Sequence, residues 1–290
     1  MLQEFAPAKI NLFLDILSKR PDGYHDLGTL FQTINAGDTL SGELDPSGKI
    51  SLRYNAPQEY PVESDLVYKA ALLVQKTYEV KLGVSFYLEK KMPLGAGLGG
   101  GSADAAAALR LLNKLWNLNV SPEDLEKLGA KLGADVPFLV QGGSAMAEGI
   151  GDKLSRIEPL KLPRGAALLV ATPQCAVPTK AAYAGCVPSG NERWEAYKHS
   201  NYRDFWENLD FSGLMANAFN KFEESVLPQF PLIAQMKRDF LDYGADFSLM
   251  SGSGASVFGV FPSKALAEEA VKKLEKTARY AVVTDFFAGF

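Results

Sequence analysis

The sequence predicts an α+β protein of two domains, and three observations lead to that prediction. Apolar and polar side chains alternate in short runs, separated by turn clusters, as far as residue 50, which is typical of an antiparallel meander. Helical patterns then occupy much of residues 64–133. After residue 165, and leaving aside a polar insertion at about 179–226, the order strand, helix, strand, strand, helix, strand is close to that of a split βαβ, or ferredoxin-like, sandwich. We therefore expect one domain in residues 1–160 and a second in residues 161–290.

The composition is that of a globular protein. The chain has 290 residues, of which 47% are hydrophobic and 22% are charged, enough for a core in each of two domains. Its net charge of −4 gives no overall attraction for nucleic acid or an anionic membrane surface. Without a signal pattern or a bilayer-length apolar run, the chain is expected to be cytoplasmic, with no nucleic-acid or membrane partner. Cys175 and Cys186 are expected to be reduced thiols, and the oligomeric state is left open.

The first elements are assigned from alternation and from turn residues. Residues 5–17 alternate and predict a strand, the turn at residues 21–23 leads to a second extended segment, and helix periodicity follows. The predicted elements are a strand at 5–17, an extended segment at 29–35, turns at 35–38 and 45–48, a helix at 64–78 and a strand at 84–89.

The middle of the chain carries clear helix signals. Four consecutive alanines, residues 105–108, predict a closely packed helix at 102–117. Ser121 is a predicted N-cap with Pro122 at the first helical position, and Gly133 is the predicted helix end. Residues 134–165 are rich in glycine and then proline, and they are interpreted as the crossing between domains.

The second half is read in the same way. The predicted elements are a strand at 166–171, a polar insertion with a helix at 179–226, a helix at 231–243, strands at 246–250 and 256–262, a helix at 264–276 and a strand at 279–286. Residues 188–206 mix polar and aromatic side chains without a clear period. They are interpreted as a surface excursion.

Five glycines stand within residues 95–101, between a predicted strand and a predicted helix. Glycine allows positive φ and close approach to the backbone, and a helix start offers unpaired N–H groups and a positive dipole end. The stretch therefore predicts a phosphate site. Gly95, Gly97 and Gly100 also fit the dinucleotide fingerprint, although the alternating strand before them disfavours it. A flexible turn that binds nothing is the third interpretation.

Lys9, Asn11 and Asp135 are candidates for the chemistry. Lys9 and Asn11 lie about 7 Å apart on one face of the first strand, where a lysine is commonly a solvated edge residue. Asp135, two residues before Pro137, is commonly a helix N-cap. Their occurrence beside a phosphate site in one domain favours a functional role for each.

Residues 251–256 are six small residues that join two strands expected to pair as a hairpin. A hairpin needs about two such residues. Either this backbone approaches another group closely, or the connection is a wide, bulged turn.

Residues 93–106 read Pro-x-x-x-Gly-Leu-Gly-Gly-Gly-Ser-Ala-Asp-Ala-Ala, which resembles the phosphate loop of the GHMP kinases. Residues 7–12, 22–25 and 133–138 are similar to the branch of this family that acts on a cytidine diphosphate-linked methylerythritol, and residues 250–258 resemble its third motif. The resemblance runs from about residue 5 to residue 262. It implies an N-terminal ribosomal protein S5 domain 2-like domain and a C-terminal ferredoxin-like α/β sandwich.

The resemblance implies phosphorylation of the 2-hydroxyl of the methylerythritol moiety, with ATP and Mg²⁺. The family's catalytic lysine and aspartate fall on Lys9 and Asp135. Asp135 would accept or orient the hydroxyl proton, and Lys9 would stabilise the developing alkoxide. The residues implied for ATP are Asp65, Lys90, Pro93, Leu94, Gly95, Ala96, Gly97, Leu98, Gly99, Gly100, Gly101 and Ser102.

The family resemblance also implies a cytidine site, because aromatic rings can enclose a pyrimidine and a histidine can bond to its edge. The residues implied for the substrate are Asn11, Tyr24, His25, Thr179, Tyr183, Gly252, Ser253 and Gly254. Without the flanking match, Tyr24 and His25 would be an exposed turn pair.

Two departures from the family pattern concern ATP. Ala103 replaces a frequent second serine, and Asp65 replaces a common asparagine. No protein carboxylate can be named for Mg²⁺, so phosphates and water would hold it. A homoserine- or mevalonate-type GHMP kinase, a dinucleotide-binding oxidoreductase and an inactive binding protein with this fold remain alternatives.

Overall fold

The computed structural model describes residues 1–56, 60–208 and 218–290. They form two compact units. Unit 1 contains Met1–Ala8, Gly37–Leu94 and Gly99–Gly142, and unit 2 contains Lys9–Ala36, Gly95–Leu98 and Gly143–Phe290. The first two strands and the glycine-rich loop therefore contribute residues to both units. The predicted division at residue 160 stays a prediction.

The chain alternates between strands and helices along its length. The strands are β1 (Leu2–Lys19), β2 (His25–Asp45), β3 (Ile50–Tyr54), β4 (Gly83–Glu89), β5 (Ser144–Glu148), β6 (Lys153–Ile157), β7 (Ala167–Pro173), β8 (Phe219–Asn220), β9 (Phe247–Met250), β10 (Val257–Phe261) and β11 (Ala278–Thr284). The helices in the described ranges are α1 (Leu66–Thr77), α2 (Gly100–Leu115), α3 (Pro122–Gly129), α4 (Val136–Gln141), α5 (Thr179–Ala184), α6 (Glu192–Lys198), α7 (Tyr202–Asn208), α8 (Glu223–Val226), α9 (Pro231–Asp242) and α10 (Lys264–Leu274).

Unit 1 places helices beside the sheet path β3-β4-β2. The second half of β2 pairs antiparallel with β4, and β4 pairs parallel with β3. Helix α2 contacts α1, α3 and α4, and its alanines at 105–108 are fully buried, so that neighbouring helices can approach it closely. Ser121 caps α3 and Pro122 occupies its first position, as predicted.

Unit 2 contains a ferredoxin-like sandwich. Strands β11-β7-β10-β9 lie in that order and every neighbouring pair is antiparallel. Helix α9 packs on β9, and α10 packs on β11 and β7. The chain order β7, α9, β9, β10, α10, β11 is the split βαβ order expected from the sequence. The α+β fold is therefore confirmed, and β9 and β10 are hairpin partners as expected.

The predicted turn at residues 35–38 was wrong, because β2 continues through it. In unit 1, a Cβ at Gly37 would lie 2.1 Å from the carbonyl oxygen of Ala6, so glycine here permits close packing and not a turn. Asp38 accepts hydrogen bonds from the backbone N–H groups of Lys91 and Met92. Turn-forming residue types serve here as strand contacts.

Two further interpretations need correction. Residues 134–165 hold helix α4 and the β5–β6 hairpin, rather than a plain crossing. The helix predicted to end at Gly133 ends at Gly129.

The predicted surface excursion at residues 188–206 was wrong as well. It forms α6 and most of α7, and Trp194, Tyr197 and Trp206 are among the most fully buried side chains. The Tyr197 ring stacks on Phe13 of β1 at a centroid distance of 4.0 Å. Polar residues between these aromatics concealed an amphipathic pattern.

Within the described ranges, no helix combines the length and apolar character needed to cross a bilayer. Cys175 and Cys186 are both free thiols, as expected.

Candidate active site

The glycine-rich loop leads directly into helix α2. Gly95, Gly97 and Gly99 have φ values of 60°, 78° and 68°, a left-handed conformation that side chains other than glycine rarely adopt. Gly99 is the N-cap, and α2 begins at Gly100. The first-turn N–H groups of a 16-residue helix, together with its dipole, favour a bound anion here. The predicted loop leading into a helix is confirmed for residues 95–99, and α2 begins at Gly100, two residues before the predicted start at residue 102.

In unit 2, the first part of this loop lies against residues 251–256. The hydroxyl of Ser251 donates to the carbonyl oxygen of Gly97 at 3.0 Å, and the N–H of Ser256 donates to the carbonyl oxygen of Ala96 at 3.0 Å. Small residues are needed at this point because two backbones meet. The sequence prediction of a close backbone approach is therefore confirmed over that of a plain wide turn.

Asn220 stabilises the loop at residues 251–256, and the sequence analysis did not identify it. Its side-chain amide is buried and donates to the carbonyl oxygens of Met250 (2.6 Å) and Gly252 (2.8 Å). Its Oδ1 atom accepts from the N–H of Phe222 at 3.0 Å. Asn220 belongs to β8, which pairs parallel with β1, the strand that carries Lys9. The hydrogen bonds of Asn220 therefore connect the loop at residues 251–256 to a neighbour of that strand. Its two-residue strand gives little sequence pattern.

Lys9 and Asn11 are both buried on β1, with exposed fractions of 5% and 1%. The backbone N–H of Lys9 donates to the carbonyl oxygen of Leu98 at 2.9 Å, and its ammonium donates to Asn11 Oδ1 at 2.9 Å. Asn11 Nδ2 donates to the Thr29 hydroxyl at 2.8 Å. The Lys9 ammonium also lies 5.1 Å from the centroid of the Phe31 ring. The alternative of a solvated edge lysine is therefore wrong.

Asp135, in unit 1, occupies the N-cap position of α4, but its side chain makes no capping hydrogen bond to that helix. Its φ and ψ of −80° and −17° are helical rather than the extended values usual for an N-cap. Two residues earlier, a Cβ at Gly133 would lie 3.9 Å from the Ser102 hydroxyl. The turn that carries Asp135 thus lies near the start of α2.

Lys90 joins two buried carboxylates of unit 1. Its ammonium lies 2.6 Å from Asp38 Oδ2 and 2.6 Å from Asp104 Oδ2. Burial lowers the pKa of Lys90, but the two carboxylates more than offset this and hold its pKa above the usual range. Burial also raises the pKa of Asp104 to about 8, with Lys90 opposing and Asp38 reinforcing the shift. The network connects strand β2, the segment before the loop and the first turns of α2.

Asp65 is engaged by three donors. Its carboxylate caps α1 by accepting from the N–H of Val67 at 2.7 Å, and it accepts from the hydroxyls of Tyr54 and Tyr60 at 3.0 Å each. Burial and, to a smaller extent, the negative charge of Asp65 raise the pKa of Tyr60 to about 12. Asp65 therefore organises the start of α1. Its predicted contact with adenosine stays a prediction.

The residues predicted to bind cytidine include a stacked pair in unit 2. The His25 ring stacks on Tyr183 with centroids 5.0 Å apart, and Tyr183 meets Phe222 edge to face at 4.8 Å. Tyr24 is 62% exposed. Thr179, the first residue of α5, shares a hydrogen bond of 3.3 Å with the hydroxyl of Ser253.

Comparisons with known proteins identify the family of this chain. Residues 65–143 match the GHMP kinases N terminal domain, and residues 205–279 match the GHMP kinases C terminal domain. The chain is 38% identical to a 4-diphosphocytidyl-2-C-methyl-D-erythritol kinase of Clostridium botulinum (strain Alaska E43 / Type E3) over 274 residues, covering 93% of this chain and 95% of the relative.

Two further likenesses point the same way. An Exiguobacterium sibiricum protein of that same name is 41% identical over 257 residues, which is 88% of this chain and 87% of that protein. A crystal structure of 4-(cytidine 5'-diphospho)-2C-methyl-D-erythritol kinase superimposes with a TM-score of 0.80 at 33% identity, covering 98% of this chain and 99% of the other.

Proposed function

Since the chain belongs to the 4-diphosphocytidyl-2-C-methyl-D-erythritol kinases, a branch of the GHMP kinase family, it is an ATP-dependent kinase, and we propose the roles of its residues on that premise. The reaction transfers the γ-phosphoryl group of ATP to the 2-hydroxyl of 4-diphosphocytidyl-2-C-methyl-D-erythritol, giving the 2-phosphate and ADP. It belongs to the methylerythritol phosphate route to isoprenoid precursors. The oxidoreductase alternative suggested by Gly95, Gly97 and Gly100 is set aside by this membership. We also propose a cytoplasmic location, where ATP is supplied.

One observation carries the proposed mechanism: Lys9 is bonded both to the phosphate loop and to a second polar residue of its strand. Its backbone N–H donates to Leu98 and its ammonium donates to Asn11. The residue after Leu98 is Gly99, the N-cap of α2. A cation fixed at this point of the chain can stabilise negative charge on a phosphoryl oxygen or an alkoxide.

Lys9 and Asp135 have complementary proposed roles. Phosphoryl transfer needs in-line positioning and charge stabilisation more than covalent help. The Asp135 carboxylate accepts or orients the proton of the substrate hydroxyl. The proximity of its turn to Ser102, at the start of α2, supports this role. Lys9 favours the developing alkoxide.

The ATP site is proposed at residues 93–102, where loop N–H groups and the α2 dipole bind phosphates. For Lys90 we propose a supporting role, because its ammonium is held between Asp38 and Asp104. For Asp65 we likewise propose that it shapes the adenosine side of the site through Tyr54 and Tyr60.

We propose that Mg²⁺ enters with ATP. No group of three or more His, Cys, Asp or Glu side chains within the described residues could hold a metal ion. Ser102, in the first turn of α2, would offer its hydroxyl to the ion, and phosphate oxygens and water would supply the other ligands. The ion would neutralise charge on the phosphates.

Cytidine recognition is proposed for Tyr24, His25 and Tyr183, with Asn11, Thr179 and residues 252–254 contacting the remainder of the substrate. The exposed ring of Tyr24 can cover one face of a pyrimidine, and the stacked His25 and Tyr183 rings present a second aromatic surface. Stacking gives affinity, and the imidazole can select the base edge.

The test is ADP release with Mg-ATP and three separate acceptors: the cytidine substrate, mevalonate and homoserine. We expect turnover with the first alone, and loss of at least ~10² in kcat for Lys9→Ala. Lys91→Ala is the matched control, since the Lys91 side chain is 54% exposed beside the same loop. Equal turnover of mevalonate or homoserine would overturn the substrate assignment.

A further inference from the structure

Thr29 makes two hydrogen bonds that fix the direction of a buried chain of polar groups in unit 2. The side chain is fully buried on β2. Its hydroxyl donates to the carbonyl oxygen of Phe13 at 2.6 Å. A carbonyl can only accept and a hydroxyl has one proton, so the Thr29 oxygen can only accept from its other neighbour, Asn11, at 2.8 Å.

This constraint fixes the orientation of the Asn11 amide. With Nδ2 facing the Thr29 oxygen, Oδ1 faces the Lys9 ammonium, 2.9 Å away. The flipped amide would place the Nδ2 donors against the Lys9 ammonium and Oδ1 against a hydroxyl oxygen whose proton is already committed, so neither contact could be a hydrogen bond. Every donor therefore points the same way, from Lys9 through Asn11 and Thr29 to the carbonyl of Phe13.

We propose that Thr29 is a positioning residue for the reaction, acting on Lys9 through Asn11. This inference rests on the proposed function, because the position of the Lys9 ammonium affects catalysis only if Lys9 stabilises charge in the reaction. Without the Thr29 hydroxyl, Asn11 Nδ2 loses its buried acceptor, and the amide can rotate to find another one. The ammonium then loses a fixed neutral acceptor and samples other positions. Misplacement of a charge-stabilising group lowers kcat more than it affects substrate binding.

The test compares Thr29→Val, which removes the hydroxyl at similar volume, with Thr29→Ser, which keeps it. Both are assayed with Mg-ATP and the cytidine substrate, and thermal unfolding is followed in parallel. We expect Thr29→Val to lower kcat by ~10-fold or more, with each KM within about threefold of the wild-type value. Thr29→Ser is expected to retain at least half of the wild-type kcat.

A double-mutant cycle separates positioning from general structural damage. In a Lys9→Ala background, Thr29→Val should have less than a twofold further effect on kcat, because the group that it positions is already gone. Full additivity of the two losses, or a wild-type kcat for Thr29→Val, would overturn the proposal. Thr29→Ala carries the same expectation and replaces the valine variant if that protein does not fold.

The cycle also distinguishes this inference from the proposed function. Wild-type turnover in Lys9→Ala alone contradicts the catalytic role of Lys9, and with it the positioning role. An inactive Lys9→Ala protein combined with a fully active Thr29→Val protein contradicts the positioning role only.

Discussion

Gly97 and Ser251 approach so closely that a Cβ on Gly97 would lie 2.1 Å from the carbonyl oxygen of Ser251. The Ser251 hydroxyl bonds in return to the carbonyl oxygen of Gly97. Two loops that are 154 residues apart in the chain thus meet backbone to backbone within unit 2. This close contact explains why small residues occur in both loops.

Gly97→Ala should damage the protein more than Gly95→Ala. Both glycines have positive φ, which disfavours alanine by roughly 1–2 kcal/mol, but a Cβ at Gly95 meets nothing within 4 Å. At Gly97 the clash with backbone adds to the strain, so the loop at residues 251–256 must move. We expect a larger fall in Tm for Gly97→Ala than for Gly95→Ala, and a rise of at least ~10-fold in the KM for ATP for Gly97→Ala only. Equal effects of the two substitutions would argue against the contact.

Asp135→Ala should mainly lower kcat, whereas Asp65→Ala should mainly lower the free energy of unfolding. Asp135 is the proposed acceptor of the hydroxyl proton, so its loss should lower kcat by at least ~10². Asp65 caps α1 and accepts from two tyrosines, so its loss should reduce that free energy by roughly 1–3 kcal/mol. Chemical denaturation and steady-state kinetics of both variants check this. A fully active Asp135→Ala enzyme would remove Asp135 from the mechanism.

Tyr24→Ala should raise the KM for the cytidine substrate by ~10-fold while kcat and the KM for ATP stay within about threefold, since loss of one stacked ring corresponds to about 1–3 kcal/mol. Tyr87→Ala is the matched control, because Tyr87 is 44% exposed on β4 of unit 1. Unchanged KM values in the Tyr24 variant would exclude this ring from the substrate site.

Asp104 should make stability depend on pH. Its pKa in the folded protein, about 8, lies above the ordinary value of 3.8 because of burial, so the folded state binds a proton more tightly than the unfolded chain. The associated stabilisation is complete below about pH 4 and is lost as the pH rises through about 8.

Asp104→Asn removes this titration while its amide oxygen can still accept from Lys90. Between pH 5 and pH 9, we expect the Tm of the wild-type protein to fall relative to the Tm of the asparagine variant. Parallel Tm curves for the two proteins across that range would show that Asp104 does not titrate there.

The sequence predicted those features that depend on local pattern. The β9–β10 hairpin follows from alternation, and the Ser121 cap from residue type. The loop at 95–101 was predicted because glycine has few other reasons to occur so densely. Each of these signals lies within a short stretch of chain.

Features that depend on distant partners could not be predicted in this way. Asp38 looked like a turn residue because its partners, Lys91 and Met92, lie more than fifty positions away. Thr29 and Asn220 each look like ordinary strand residues. Their importance comes from the groups that they contact, Asn11 for one and Gly252 for the other, and no local pattern encodes those contacts.

The most direct test of the mechanism is a crystal structure with a non-hydrolysable ATP analogue and the cytidine substrate bound. The quantities to measure are the distances from the substrate 2-hydroxyl oxygen to Lys9 Nζ and to the nearer carboxylate oxygen of Asp135. We predict that both lie within hydrogen-bond reach, about 2.6–3.2 Å, or are bridged by one water. A complex with ATP analogue and substrate both bound, in which either group points away from that oxygen, would contradict the account.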